Sequence, residues 1–172
     1  MTELRRPAPI EFGRHKREGF HSGEPSLDEW LKRYAGQSRR RDTAAAWVIA
    51  DQDDVVVAYA SLSMIGIDLS AAPARLRKGA PDPIPALLIG RLAVDQRFAG
   101  LGVGSELVKH ALATAVEVNS KVACRAVVVT ALNPGIRSWW ERFGFVAFEP
   151  GDSESLDLYL LTMDIEATLG QI

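Results

Sequence analysis

Residues 97–105, Arg-Phe-Ala-Gly-Leu-Gly-Val-Gly-Ser, have the types and spacing to hold an anion. Gly100, Gly102 and Gly104 carry no side chain, so ligand oxygens can approach the main chain closely. An apolar run over 86–94 leads into this turn, and residues 104–118 leave it with helical periodicity. Strand, turn and helix in that order put the free N–H groups of a helix start beside the glycines. There a phosphate or diphosphate meets hydrogen-bond donors and the positive end of the helix dipole. The Arg97 guanidinium and the Ser105 hydroxyl add charge-assisted donors to the amides of Phe98, Ala99, Gly100, Leu101, Gly102, Val103 and Gly104.

Two common glycine turns do not fit. A nucleoside-triphosphate loop places a lysine and a hydroxyl residue after its last glycine, and Ser105-Glu106 offers no lysine. A dinucleotide turn takes glycine at position 105 and a tight link from the strand. Here Ser105 stands instead, and five residues separate Val94 from Gly100.

A second segment, Asn133-Pro-Gly-Ile-Arg-Ser-Trp-Trp140-Glu-Arg-Phe-Gly-Phe145, opens as a helix with Asn133 as cap and Pro134 at the first position. Arg97-x-x-Gly100-x-Gly102 after an apolar strand resembles motif A of the GNAT acetyltransferase superfamily, and Asn133-x(6)-Trp140-x(3)-Gly144-Phe145 resembles its motif B. At the front, residues 19–31 resemble the Phe-x-x-Gly-x-x-x-Leu-x-x-Trp-Leu opening of GNAT toxins from bacterial toxin–antitoxin pairs, as does Gly90-Arg-Leu-Ala-Val-Asp95.

The resemblance implies an α/β GNAT fold: a mixed sheet of about six to seven strands, flanked by about four helices and splayed between strands 4 and 5. It implies acetyl-CoA as cosubstrate, no metal, and transfer of acetyl to the free α-amine of aminoacyl-tRNA, which blocks translation. It also implies a homodimer neutralised by a small ribbon-helix-helix antitoxin. The pantetheine arm would lie along Leu92, Ala93 and Val94, with the Val94 N–H aimed at the thioester oxygen. Asn133 would touch the arm, or serve only as a helix cap.

Position 140 departs from the family. Most relatives have tyrosine there as the acid for the leaving thiolate, whereas the Trp140 indole donates hydrogen bonds but is no acid near neutral pH. Either transfer proceeds without an acid or activity is impaired. Two alternatives to the toxin therefore stay open. One is a GNAT enzyme for a small amine or protein N-terminus; the other is a non-catalytic module that binds acyl-CoA or an antitoxin.

The net charge of −2 hides an asymmetry: residues 1–41 carry net +4, and residues 145–172 have six acidic and no basic residues. A basic front can attract a polyanion. The residues expected to meet tRNA phosphates are Lys32, Arg33, Arg39, Arg40, Arg41 and Arg91, with Arg75, Arg77 and Lys78 in a loop behind them.

The elements that position these groups are readable in outline. Ser26-Leu-Asp-Glu29 reads as a capping box for a helix running past Gly36 towards Arg41. Residues 45–51 and 55–67 read as a hairpin, 71–85 as a loop, 126–131 as a strand, and 146–148 and 156–163 as closing strands. His110 falls opposite the apolar stripe of its helix and is expected at the surface, whereas Trp30 and Trp47 are expected in the core. Glu141, beside Trp140, would point away from it. His15 and His21 have no metal-ligand spacing, and the single Cys124 is expected to be buried and inert.

At 172 residues and 47% hydrophobic, the chain suits one domain over 1–172. No apolar run reaches the roughly 18–20 residues of a membrane span, and none follows the first residues as a signal core would. A cytoplasmic protein is expected.

Overall fold

The computed structural model describes residues 2–169. Its strands are β1 Ala8–Pro9, β2 Ala45–Ala50, β3 Val56–Ile67, β4 Ile84–Val94, β5 Ala126–Thr130, β6 Val146–Ala147 and β7 Asp157–Leu161. They form one sheet in the order β1-β2-β3-β4-β5-β7-β6. The β4–β5 pair is parallel, as the crossover helix between them requires. The helices are α1 Pro25–Glu29, α2 Ala35–Arg40, α3 Ala74–Arg77, α4 Val103–Lys121, α5 Pro134–Glu141 and α6 Thr162–Leu169. A π-helical turn, Trp30–Tyr34, fuses α1 to α2. The sheet and helix content agree with the α/β GNAT expectation.

The chain divides into two compact units, Met1–Ser63 with Ile89–Ala111, and Met64–Leu88 with Leu112–Ile172. In the first unit, two clusters fill opposite faces of the sheet. Phe20, Trp30, Leu31, Val48, Val56, Tyr59 and Ala93 pack on one side. Val57, Ala60, Val103 and Leu107 pack with Leu92, Val94 and Phe98 on the other. The alternation of Leu92, Ala93 and Val94 between the clusters is the period-2 signature of a strand covered on both faces. In the second unit, Leu76, Ile84, Ala86, Ala126, Val128, Tyr159 and Leu161 form a third cluster.

Three local expectations are corrected. The front helix starts two residues early: Glu24 rather than Ser26 is the cap residue, Pro25 is the first helical residue, and no side chain caps it. Proline suits that position because its missing N–H would have no partner there anyway. Ser26 is thus inside the helix, and the carboxylate of Asp28 instead accepts from Ser22 N at 3.0 Å and Ser22 Oγ at 2.6 Å. The 71–85 segment contains α3 rather than only loop. The last strand ends at Leu161, where the Thr162 hydroxyl donates to the Cys124 carbonyl at 2.7 Å and α6 begins.

The π turn has a visible cause and compensation. Ala35 N donates to Trp30 O, five residues back, so Leu31 O loses its usual helical partner. The Arg17 guanidinium fills that vacancy at 2.9 Å.

Candidate acyl-transfer site

The turn after β4 is held by a buried carboxylate. Asp95 is 1% exposed. Its Oδ1 accepts from Arg97 N at 3.0 Å and Arg97 Nε at 2.9 Å, while Oδ2 accepts from Arg97 Nη2 at 3.2 Å and His21 N at 3.1 Å. Burial pushes the Asp95 carboxyl up, but Arg97 and the two amides outweigh it and hold it below the usual carboxylate range. Gln96–Phe98 then make a single 3-10 turn.

Gly100 and Gly102 follow with φ of 76° and 80°, the left-handed backbone that glycine adopts without strain. The space where their Cβ atoms would lie is open to 4 Å. Helix α4 starts at Val103, and the first amide reaching back is Glu106 N, to Gly102 O at 3.3 Å. The N–H groups of Val103, Gly104 and Ser105 are therefore the unpaired donors of the helix start. Gly104 is inside α4, so its small size, not its φ, suits the turn. Phe98 anchors the turn in the core, and Leu101 stands 70% exposed at its tip.

The end of β4 offers more donors. Asp95 N bonds to Val57 O on β3 at 2.8 Å. Antiparallel alternation then puts the N–H groups of Val94 and Leu92 on the other edge of the strand. On the Ala93 face, the Arg91 guanidinium lies 4.4 Å over the Trp30 ring, which stacks on Tyr59 at 5.7 Å and 13°. The buried Tyr59 hydroxyl donates to Leu27 O at 2.6 Å, and burial pushes its pKa well up.

In the second unit, Asn133 Oδ1 accepts from Ile136 N at 3.1 Å, so its side chain acts as the cap of α5. Trp140 is 5% exposed, edge-on to Trp139 at 5.0 Å and Phe145 at 5.4 Å. Arg137 ties α5 to the carbonyls of Asp152 and Ser155 and pairs with Glu141, which is exposed. These contacts seat the helix, with an indole at position 140 where the resemblance implies a phenol.

A model of the acetyltransferase (GNAT) family matches residues 10–145. The chain belongs to the GNAT family. It is 34% identical over 151 residues to the tRNA-acetylating toxin of Mycobacterium tuberculosis, covering 88% of this chain and 89% of that one. AtaT complexed with acetyl-methionyl-tRNAfMet superposes with a TM-score of 0.86 at 23% identity, over 97% of this chain and 99% of that one. A tyrosine-to-phenylalanine AtaT variant, bound to acetyl-CoA and the C-terminus of the antitoxin AtaR, gives 0.81 at 22% identity, over 96% and 98%. At such identity the two structures speak for the fold.

Within this GNAT chain, the basic residues expected to meet tRNA separate. Lys32, Arg33, Arg39, Arg40 and Arg41 are exposed on the π turn, on α2 and just after it. Arg33 pairs with Glu29 at 3.5 Å and Arg39 with Asp42 at 3.3 Å. Arg91 is half-buried on Trp30. Arg75, Arg77 and Lys78 belong to the second unit, where Arg75 is taken up by Asp164 at 2.7 and 3.0 Å.

Sequence reasoning missed the Asp95–Arg97 pair, in which Arg97 uses Nε and Nη2 and leaves Nη1 for another acceptor. An aspartate two residues before the arginine was the available signal. It also placed His110 at the surface, whereas that ring packs 4.1 Å from Trp47, and both are half-buried. Cys124 is buried as expected, and burial pushes its thiol pKa up.

Proposed function

We propose that this GNAT chain acetylates the free α-amine of aminoacyl-tRNA and acts as a translation-blocking toxin restrained by a ribbon-helix-helix antitoxin. The observation that carries this reading is the 34% identity to a tRNA-acetylating toxin over 88% of the chain. The glycine turn fits the coenzyme, because open left-handed glycines and unpaired helix-start amides suit a diphosphate. Acetyl-CoA supplies the acetyl group as a thioester.

The residues Phe98–Ser105, with Arg97 Nη1, hold the diphosphate. The pantetheine arm lies along Leu92, Ala93 and Val94, its amides meeting the edge of β4 to which the Leu92 and Val94 N–H groups point. Asn133 caps α5 through Oδ1, and its amide nitrogen is left to touch the arm. The Val94 N–H donates to the carbonyl oxygen as charge builds there, which is worth about 2.7–4 kcal/mol. The amine nitrogen attacks the carbonyl carbon, the C–S bond breaks, and its electron pair leaves on sulfur. Trp140 gives no proton, so the thiolate departs as an anion and the ammonium proton goes to water. That is chemically open: a thiol of pKa about 8.5 is a fair leaving group, and an α-amine of about 7.7–8.0 is partly neutral at pH 7.

Lys32, Arg33, Arg39, Arg40, Arg41 and Arg91 attract the tRNA backbone. The chain acts in the cytoplasm as a single domain over 1–172 (residues 1 and 170–172 lie outside the described structure) and pairs as a homodimer. Among the described residues, no helix is long and apolar enough to cross a membrane.

Incubation with labelled acetyl-CoA and total charged tRNA tests the reading. Label is expected on the amino acid released by mild base, and expression is expected to arrest growth. Label confined to small amines would overturn it. Trp140 favours a second reading, an acyl-CoA binder without turnover; tight acetyl-CoA binding with no labelled product on any amine would select that reading.

A further inference from the structure

Among the arginines of the first unit, Arg91 is the one that lies over a tryptophan ring. Arg14, Arg33, Arg39 and Arg97 each meet a carboxylate within 3.5 Å. Arg91, like Arg6, Arg17, Arg40 and Arg41, forms no ion pair among the described residues, and its guanidinium carbon lies 4.4 Å over the centre of an indole. Trp30 is itself 6% exposed and braced by Tyr59, which Phe20 meets edge-on at 5.7 Å. The support continues into the π turn, whose widened backbone begins at Trp30 and is held by Arg17. Such widened turns recur at functional sites. A stacked guanidinium loses little freedom on binding and keeps its edge donors for a phosphate.

Its position on the strand gives the occupant a length. Arg91 and Ala93 share the face covered by the front helix, while Leu92, Val94 and the start of α4 share the opposite face. A coenzyme held by the glycine turn and an acceptor approaching over Trp30 would therefore come from opposite sides of β4. Arg91 precedes Val94 by three residues, about 10 Å of strand. In a charged tRNA, about eight covalent bonds separate the phosphorus 5′ to the terminal adenosine from the α-nitrogen, roughly 8–10 Å at ordinary bond lengths. The two spans match.

We propose that Arg91, stacked on Trp30, clamps the last internucleotide phosphate of the charged tRNA and so sets the α-amine at the end of β4. The clamp rests on the aminoacyl-tRNA reading above. It makes Arg91 a fixed point for the 3′ end of the tRNA, distinct from the exposed cations of the front helix, which contact the backbone at large.

The test pairs a protein change with a substrate change. Charged tRNA is prepared with its last internucleotide linkage either normal or an uncharged methylphosphonate, and kcat/KM and Kd are measured for wild type and Arg91→Ala. Acetyl-CoA affinity serves as the check of folding. Wild type is expected to lose about tenfold or more in both quantities on the methylphosphonate. Arg91→Ala should lose as much on normal tRNA and then be indifferent to the linkage, the signature of direct coupling. Arg91→Lys, which keeps the charge but not the planar fork, should fall between them. Losses that simply multiply, or a wild type indifferent to the linkage, would overturn the clamp while leaving tRNA acetylation standing. A wild type that acetylates no charged tRNA removes both.

Discussion

The turn after β4 and the helix α5 are the two segments in which the GNAT pattern is written, and they treat substitution differently. The turn works through backbone: left-handed glycines, helix-start amides, and a carboxylate that fixes the loop from beneath. Arg97 can be drawn into that support and the donors remain. In α5 the expected chemistry rested on one hydroxyl. The helix keeps its Asn133 cap, its Pro134 start and its buried aromatic seat, with the indole of Trp140 at the position where the resemblance implies a hydroxyl. A side chain of α5 can thus be exchanged without loss of the fold, whereas in the turn the donors are the backbone itself.

That contrast makes Gly102→Ala the most damaging small change. A Cβ there meets no atom within 4 Å, so the fold can accept it, at a backbone cost of about 1–2 kcal/mol. Acetyl-CoA affinity, measured by titration calorimetry, should fall by about 100-fold, as expected for losing one or two hydrogen bonds to a charged group. Affinity within threefold of wild type would mean that the turn does not hold the diphosphate.

Next in size is position 140. Trp140→Tyr should raise kcat/KM for charged tRNA by about 10- to 100-fold, since it restores a general acid. In thiol-release assays across pH, the wild-type rate should rise through the amine pKa near 8 and then stay level, because only the neutral amine attacks. The tyrosine variant should add a falling limb near pH 10, and Trp140→Phe should stay within about threefold of wild type. A Trp140→Phe protein without activity would give the indole a direct part in transfer.

Asp95→Asn probes the support of the turn. It removes the charge that Arg97 and His21 N share, and should cost about 2 kcal/mol, a fall of roughly 4–8 °C in Tm. Because the folded carboxyl titrates below its unfolded value of about 3.9, its contribution is present above that pH and disappears as pH drops through the folded pKa. The variant should therefore show a shallower acid limb.

The smallest effect belongs to His15, which is 7% exposed and accepts from Glu11 N through Nδ1 at 2.9 Å. Burial, aided by Arg14, holds its pKa below 6.5. The unfolded chain then takes up a proton first, and stability declines as pH falls below about 6.5. His15→Gln should flatten that slope in denaturant melts between pH 7 and 5.

What the sequence disclosed follows from the range of each interaction. Glycine turns and the Asn133-Pro134 start depend on residues within a few positions, so their types alone betray them. The Ser26 reading failed at similarly short range, because Pro25 offered a competing first helical position two residues earlier. The rest is long-range. The π turn needs Arg17, fourteen residues before Leu31; the anchoring of Asp95 needs His21, seventy-four residues away; the end of β7 needs the carbonyl of Cys124. The Trp47–His110 contact joins a strand to the face of α4 that periodicity assigns to solvent. No local pattern records such pairs.

The partners of the Asp95 carboxylate also bear on the order of assembly. All of them, His21 and Arg97, precede residue 98. A nascent chain emerging from the ribosome can secure the end of β4 before α5 has been translated. A frameshift or early stop between residues 111 and 140 would leave a fragment that still carries the glycine turn and lacks Trp140 altogether.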